Sequence, residues 1–97
     1  MLRTQGAYEL PKFLFDSEFS GLSNDARVLY ALLRSRYEKG HQDENSDVYV
    51  YFRREEMSLM LGVSENTVRK VMRDLGAYKL LEDRQQGSMK PNRIYLL

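Results

Sequence analysis

Ninety-seven residues allow one domain with one core, and a hydrophobic fraction of 42% with 30% charged residues describes an ordinary globular chain with little room for a deep catalytic cleft. The absence of cysteine excludes disulfides and thiolate metal sites. The net charge of +1 is unevenly spread: residues 1–52 hold six Lys/Arg against eight Asp/Glu and residues 53–97 hold nine against six, so any cationic surface belongs to the second half.

The start, MLRTQGAYELPKF, lacks the apolar middle of a signal peptide, and there is no apolar run of about 18 residues, so a cytoplasmic protein is expected. Residues 1–22 show no sustained period. Leu10, Phe13, Leu14, Phe15 and Phe19 make ELPKFLFDSEF too apolar for a free tail, and Pro11 discourages a helix through Glu9 and Leu10. The segment reads as an extended arm that buries itself on its own core or on a second copy. Leu10, Phe13, Leu14 and Phe15 are its dimerisation candidates, ahead of a domain spanning 23–97.

Ser23 before Asn24-Asp25 is an N-cap with an acid in the first turn. Ala26, Leu29, Tyr30, Leu33 and Tyr37 follow at helical spacing with Arg27, Arg34 and Arg36 off the stripe, predicting about four turns that end near Gly40. GHQDENSD reads as a polar loop and residues 48–52, VYVYF, as a short strand. REEMSLMLG predicts a short helix with Met57, Met60 and Leu61 inward, stopped by Gly62. Ser64 caps a further helix running to about Leu75 or Gly76. Leu80–Arg84 and Arg93–Leu97 read as strands, joined by the turn formers of QQGSMKPN. Two helices joined by LGVS form a helix-turn-helix, and a strand before it and a hairpin after it make a wing. The expected fold is α+β, mainly α: a winged helix-turn-helix whose three strands close one edge of a helical core.

The chemistry lies on the helix after Ser64. At 100° per residue, Val68, Val71, Met72 and Leu75 fall on one side and Asn66, Arg69, Lys70 and Arg73 on the other. A merely solvated face usually mixes signs, yet no acid stands among those four. Arginine reaches guanine O6 and N7 with two parallel bonds, asparagine does the same for adenine, and Lys70 suits a phosphate. Thr67 is placed for a phosphate or a thymine methyl. Arg53 and Arg54, at the start of the preceding helix, are expected on the DNA backbone. Ser88, Lys90, Asn92 and Arg93 are expected at a wing tip lying along the backbone or in the minor groove. The reading is sequence-specific double-stranded DNA binding, with residues 64–75 in the major groove and residues 82–95 as wing.

Other signals carry less. Asp43, Asn45 and Asp47 imitate half a calcium loop, but Val48 stands where its glycine belongs and Arg54 where its bidentate acid belongs. His41 is the only histidine, and the adjacent Glu55-Glu56 diverge by about 100° and cannot flank one bond. Tyr49 and Tyr51 suit base stacking or packing. No enzyme, cofactor or metal site is expected. A transcriptional regulator using the same helix, or a winged helix that binds protein, are the rival readings.

The segments YELPKFLF, LSNDARVLYALLRSR, VYVYFRREEM, LGVSENTVRKVMRDL and GSMKPNRIYLL, in this order, resemble the N-terminal domain of plasmid replication initiators of the RepA type from Gram-positive bacteria. The resemblance spans nearly the whole chain. It implies recognition of repeated sites at a replication origin and a homodimer built partly by the arm. It also implies contacts with host replication proteins through a C-terminal region beyond this chain. Two positions depart from the family pattern: Arg53 replaces a Thr or Ser after the strand, and Lys79 replaces a Gly before the first wing leucine. Gly76 is then the expected left-handed helix cap.

Overall fold

The first helix forms where its cap and stripe put it. In the computed structural model, which describes residues 6–97, Ser23 Oγ accepts from the Ala26 amide at 3.1 Å and α1 runs over Asn24–Tyr37. The first five positions of the expected arm lie outside the described residues. Ala26, Leu29, Tyr30 and Leu33 are all buried, as the stripe requires. The helix stops at Tyr37, before Gly40, because the amides of Lys39 and Gly40 turn back onto the carbonyls of Arg36 and Tyr37.

The polar stretch that follows is a hairpin rather than a loop. β1 (His41–Gln42) pairs antiparallel with β2 (Val48–Tyr49), His41 opposite Tyr49. Asp43 builds the turn: its Oδ1 accepts from the amides of Asn45 and Asp47 at 2.9 and 3.0 Å, while Ser46 takes a φ of 66°. Gly40 lets this hairpin close, since a Cβ there would sit 2.7 Å from the Tyr49 carbonyl oxygen. The expected strand over 48–52 is therefore shorter. Past Tyr49 only Val50 pairs, through two bonds of 2.9 and 3.0 Å with Ile94. The expected three-stranded edge is realised as two hairpins joined by that bridge.

α2 (Arg54–Leu61) ends at Gly62, whose φ of 70° is the left-handed conformation that favours glycine. Met57 is fully buried beneath it and Leu61 packs on the core, but Met60 is exposed, correcting its expected inward position. α3 (Glu65–Ala77) starts from Ser64, whose Oγ accepts from the Thr67 amide at 3.2 Å. Val68, Val71, Met72 and Leu75 are buried against α1 and α2. Burying each contributes on the order of 1.5–3 kcal/mol, which fixes the helix by its apolar side.

The exit from α3 corrects another expectation. The Leu80 amide bonds the Leu75 carbonyl and the Lys79 amide bonds the Gly76 carbonyl, both at 3.0 Å, the paired closure of a Schellman motif. The left-handed residue inside that closure is Lys79, with φ 60°, while Gly76 remains within the helix. The chain then enters β3 (Leu81–Arg84), which pairs antiparallel with β4 (Arg93–Leu96), Leu81 opposite Leu96 and Arg84 opposite Arg93.

From Gly6 on, the described part of the arm folds onto the chain's own core, one of the two places expected for it, and is not extended throughout. Residues Lys12–Phe15 and Ser17–Phe19 form two short 3-10 turns. Leu14 and Leu22 are buried in the core shared with α1 and α3. Phe13 meets Tyr30 and Phe19 edge-on, with ring centroids 5.7 and 5.6 Å apart. Arg27 ties the segment down, donating from Nε to the Leu14 carbonyl at 2.9 Å and from Nη2 to the Phe19 carbonyl at 3.1 Å. Of the four expected dimerisation residues, Leu14 and much of Phe13 are thus taken up by the chain's own core; Leu10 and Phe15 stay exposed. The expected boundary between residues 22 and 23 does not correspond to a break in packing.

Candidate nucleic-acid interface

Because Val68, Val71, Met72 and Leu75 face inward, the opposite side of α3 must face out. Asn66, Arg69, Lys70 and Arg73 are all exposed there. The ion pairs among the described residues are Arg36–Glu56, Arg84–Glu82 and Arg93–Glu44, so none neutralises this ridge. Arg69 Nη1 reaches Asn66 Oδ1 at 3.4 Å, which places a guanidinium and an amide side by side. Thr67 differs from the others. It is half-buried and its hydroxyl lies 3.0 Å from Ser64 Oγ, so it serves the helix cap.

α2 brings Arg54 to the same side, and Arg53 precedes it. Arg53 is the N-cap of α2 but makes no side-chain capping bond, leaving its guanidinium exposed at the helix start. Arg54 joins Arg69 and Arg73 around a cleft of about 540 Å³ between α3 and β3, lined also by Met72, Gly76, Leu81, Glu82 and Asp83. Three guanidinium groups against two carboxylates leave the cleft with one positive charge in excess, and the exposed Lys70 adds another on the ridge beside it. Among the described residues, Glu82 is engaged by Arg84 at 2.9 Å, whereas Asp83 has no ion-pair partner. Asp83 pairs across the hairpin with the buried Ile94, so both lie on the face turned towards the helices. The sequence reading did not place these two exposed acids beside the arginines, because only the packing of β3 against α3 brings them to the cleft.

At the wing, Ser88 and Lys90 are exposed in the turn and Asn92 is half-buried behind them. Arg93 is not at the tip, and its expected place there is corrected. It opens β4 opposite Arg84, at the loop end of the ladder, but its side chain turns away from the tip, with its guanidinium 4.5 Å from the centre of the Tyr49 ring and Nη1 3.8 Å from Glu44. Its Nε is buried with no hydrogen-bond partner. The signal was available: Arg93 starts an apolar strand whose neighbour in the fold is the aromatic VYVYF. Tyr49, Tyr51, Tyr95 and His41 form one ring cluster, with centroids 5.3 to 5.7 Å apart. Tyr49 is buried in that cluster, which takes it out of reach of a base. Tyr95 donates to Asp43 Oδ2 at 2.9 Å. Burial pushes the Asp43 carboxyl up, but the bonds from Tyr95 and from the Asp47 and Asn45 amides, with nearby Arg93, outweigh it and hold the group below its ordinary range.

The described elements are those of a winged helix: three helices, the last two joined by the short turn at Gly62, and an antiparallel hairpin after them. Residues 7–97 match the family described as the N-terminus of replication initiator protein A (RepA). The chain belongs to this replication initiator family. A "41 kDa protein" of Lactobacillus helveticus is 36% identical over 101 residues, an alignment covering 93% of this chain and 29% of that protein. The initiator domain described here therefore spans less than a third of that relative's length. Among solved structures, one described as the N-terminal domain of a DNA binding protein superposes with a TM-score of 0.82 at 28% identity, covering 96% of this chain and 75% of the other. A Rep-DNA complex gives 0.81 at 28% with the same coverage, and an MDR initiator gives 0.78 at 26%, covering 96% and 77%. No helix among the described residues is long and apolar enough to cross a membrane.

Proposed function

We propose that this initiator domain binds double-stranded DNA sequence-specifically at a plasmid replication origin. α3 enters the major groove, where Arg69, Arg73 and Asn66 meet base edges. Lys70, Arg53 and Arg54 hold phosphates on either side. The wing, through Ser88, Lys90 and Asn92, follows the backbone towards the minor groove. The observation that carries this reading is the exposed, un-neutralised ridge Asn66–Arg69–Lys70–Arg73, continued by Arg54 across the cleft. The solved relative described as a Rep-DNA complex supports it by kinship.

The domain acts as a homodimer on repeated sites, with the exposed Leu10, Phe15 and Tyr8 supplying the apolar contact. Host replication proteins would be reached through regions that longer relatives carry, and the working compartment is the cytoplasm. Footprinting the domain on DNA flanking its own gene tests the proposal. Protection of a repeated motif is the expected result; uniform, unlocalised protection would contradict it.

A further inference from the structure

One apolar side chain stands apart from everything described so far. Met89 is 94% exposed, the most exposed of the large hydrophobic residues of the described chain. A single exposed methionine is unremarkable on a flat surface. Its position is what gives it meaning. Met89 lies in the turn between β3 and β4, beside the exposed Ser88 and Lys90. That turn is closed at its neck: Gln86 Nε2 donates to the Pro91 carbonyl at 3.0 Å and reaches the Tyr51 hydroxyl at 3.5 Å. Pro91 fixes its own φ, and Gly87 takes a φ of 136° that other residues rarely adopt. The tip is therefore a held knuckle, and Met89 projects from it.

We infer that Met89 is a wedge that enters a base step in the minor groove when α3 occupies the adjacent major groove. The inference rests on the DNA-binding reading above and adds a deformation to it. An unbranched thioether side chain is thin and adaptable enough to slide between bases, and apolar residues in minor-groove-binding proteins unstack and kink DNA in this way. Lys90, next in the chain, supplies a cation for the phosphate beside the opened step. The knuckle is continuous with the cationic cleft through β3, which carries Leu81, Glu82 and Asp83 along the cleft wall. Pyrimidine–purine steps, the most easily unstacked, are the ones it would select. The consequence for an initiator is a bent, locally loosened duplex beside each bound site.

The test uses short duplexes from the footprinted region with 2-aminopurine placed at successive positions. Binding is read by anisotropy and unstacking by 2-aminopurine fluorescence in the same sample. The wild-type chain should raise the fluorescence at one step on the wing side of the site. Met89→Ala and Met89→Ser should abolish the rise while weakening binding by no more than about tenfold, because the unstacking they no longer impose offsets much of the contact they lose. Met89→Leu should retain it. Wild-type binding with no fluorescent step, or a rise that survives in Met89→Ala, overturns the wedge and leaves the DNA-binding reading standing. Absence of any salt-dependent wild-type binding overturns both. Because Met89 touches no core, loss of folding does not confuse the readout.

Discussion

Replacing Lys79 with glycine should stabilise the domain, although it deletes a charged side chain and adds a flexible residue. Lys79 holds φ 60° within the closure made by the Leu80–Leu75 and Lys79–Gly76 bonds. For a residue with a Cβ, that conformation costs roughly 1–2 kcal/mol. Glycine removes this cost but raises the entropy of the unfolded chain, an opposing effect of about 0.5–1 kcal/mol. The balance favours Lys79→Gly by about 0.5–1 kcal/mol. For a domain of this size that raises Tm by roughly 2–8 °C. Gly76→Ala supplies the complementary test. Gly76 lies within α3, and a Cβ there would meet only the Leu81 carbonyl oxygen at 4.0 Å. Helix propensity then favours alanine by about 0.8–1 kcal/mol. Had Gly76 been the left-handed cap, the same change would destabilise. Thermal unfolding of both variants by circular dichroism decides the matter: a lower Tm for Lys79→Gly, or for Gly76→Ala, would refute this account of how α3 hands over to the wing.

Other expectations follow from the same geometry. Arg69→Ala and Arg73→Ala should each cost about 1–3 kcal/mol of origin affinity and relax one base position, read by competition with single-base variants of the footprinted site. Arg27→Ala removes both carbonyl bonds that tie down the arm and its stacking 5.0 Å from the Phe15 ring, and should lower stability by roughly 2–4 kcal/mol in urea titration. Asp43, held below its ordinary carboxyl range in the folded state, stabilises the β1–β2 hairpin above its unfolded pKa. That contribution is lost as pH falls through the folded value, so Asp43→Asn should flatten the acid side of the stability–pH curve and leave its alkaline side unchanged.

Much of this was legible in the chain, and the reasons are physical. The caps Ser23 and Ser64 and the apolar spacing of α1 and α3 are local, strongly periodic signals, and both helices form where those signals stand. The ridge on α3 follows directly, because burying Val68, Val71, Met72 and Leu75 leaves its four polar residues nowhere else to point. What escaped depended on partners distant in sequence or on backbone conformation. The 3-10 turns of the arm have too few residues to show a period, and they persist because Arg27 and Leu14 hold them. The β1–β2 hairpin hides in a run of polar residues, where the side chain of Asp43 rather than alternation fixes the turn. Arg93 was expected at the wing tip on its charge alone, but although its backbone stands beside the tip turn, opposite Arg84, the Tyr49 ring and Glu44 draw its side chain back from it. Lys79 took a conformation that residue type argues against, because the bonds around Leu75, Gly76 and Leu80 outweigh its strain.

The salt dependence of binding offers the most direct measurement of the central claim that α3 presents an anion-seeking ridge to duplex DNA. Anisotropy titrations between low and moderate salt, on the footprinted site, should give a steep linear fall of log affinity with log salt for the wild type. Each phosphate contact contributes about 0.9 to that slope. Replacing Lys70, Arg53 and Arg54 together with alanine should therefore flatten it by about 2.7. An unchanged slope in that triple variant would contradict the account, as would wild-type affinity indifferent to salt.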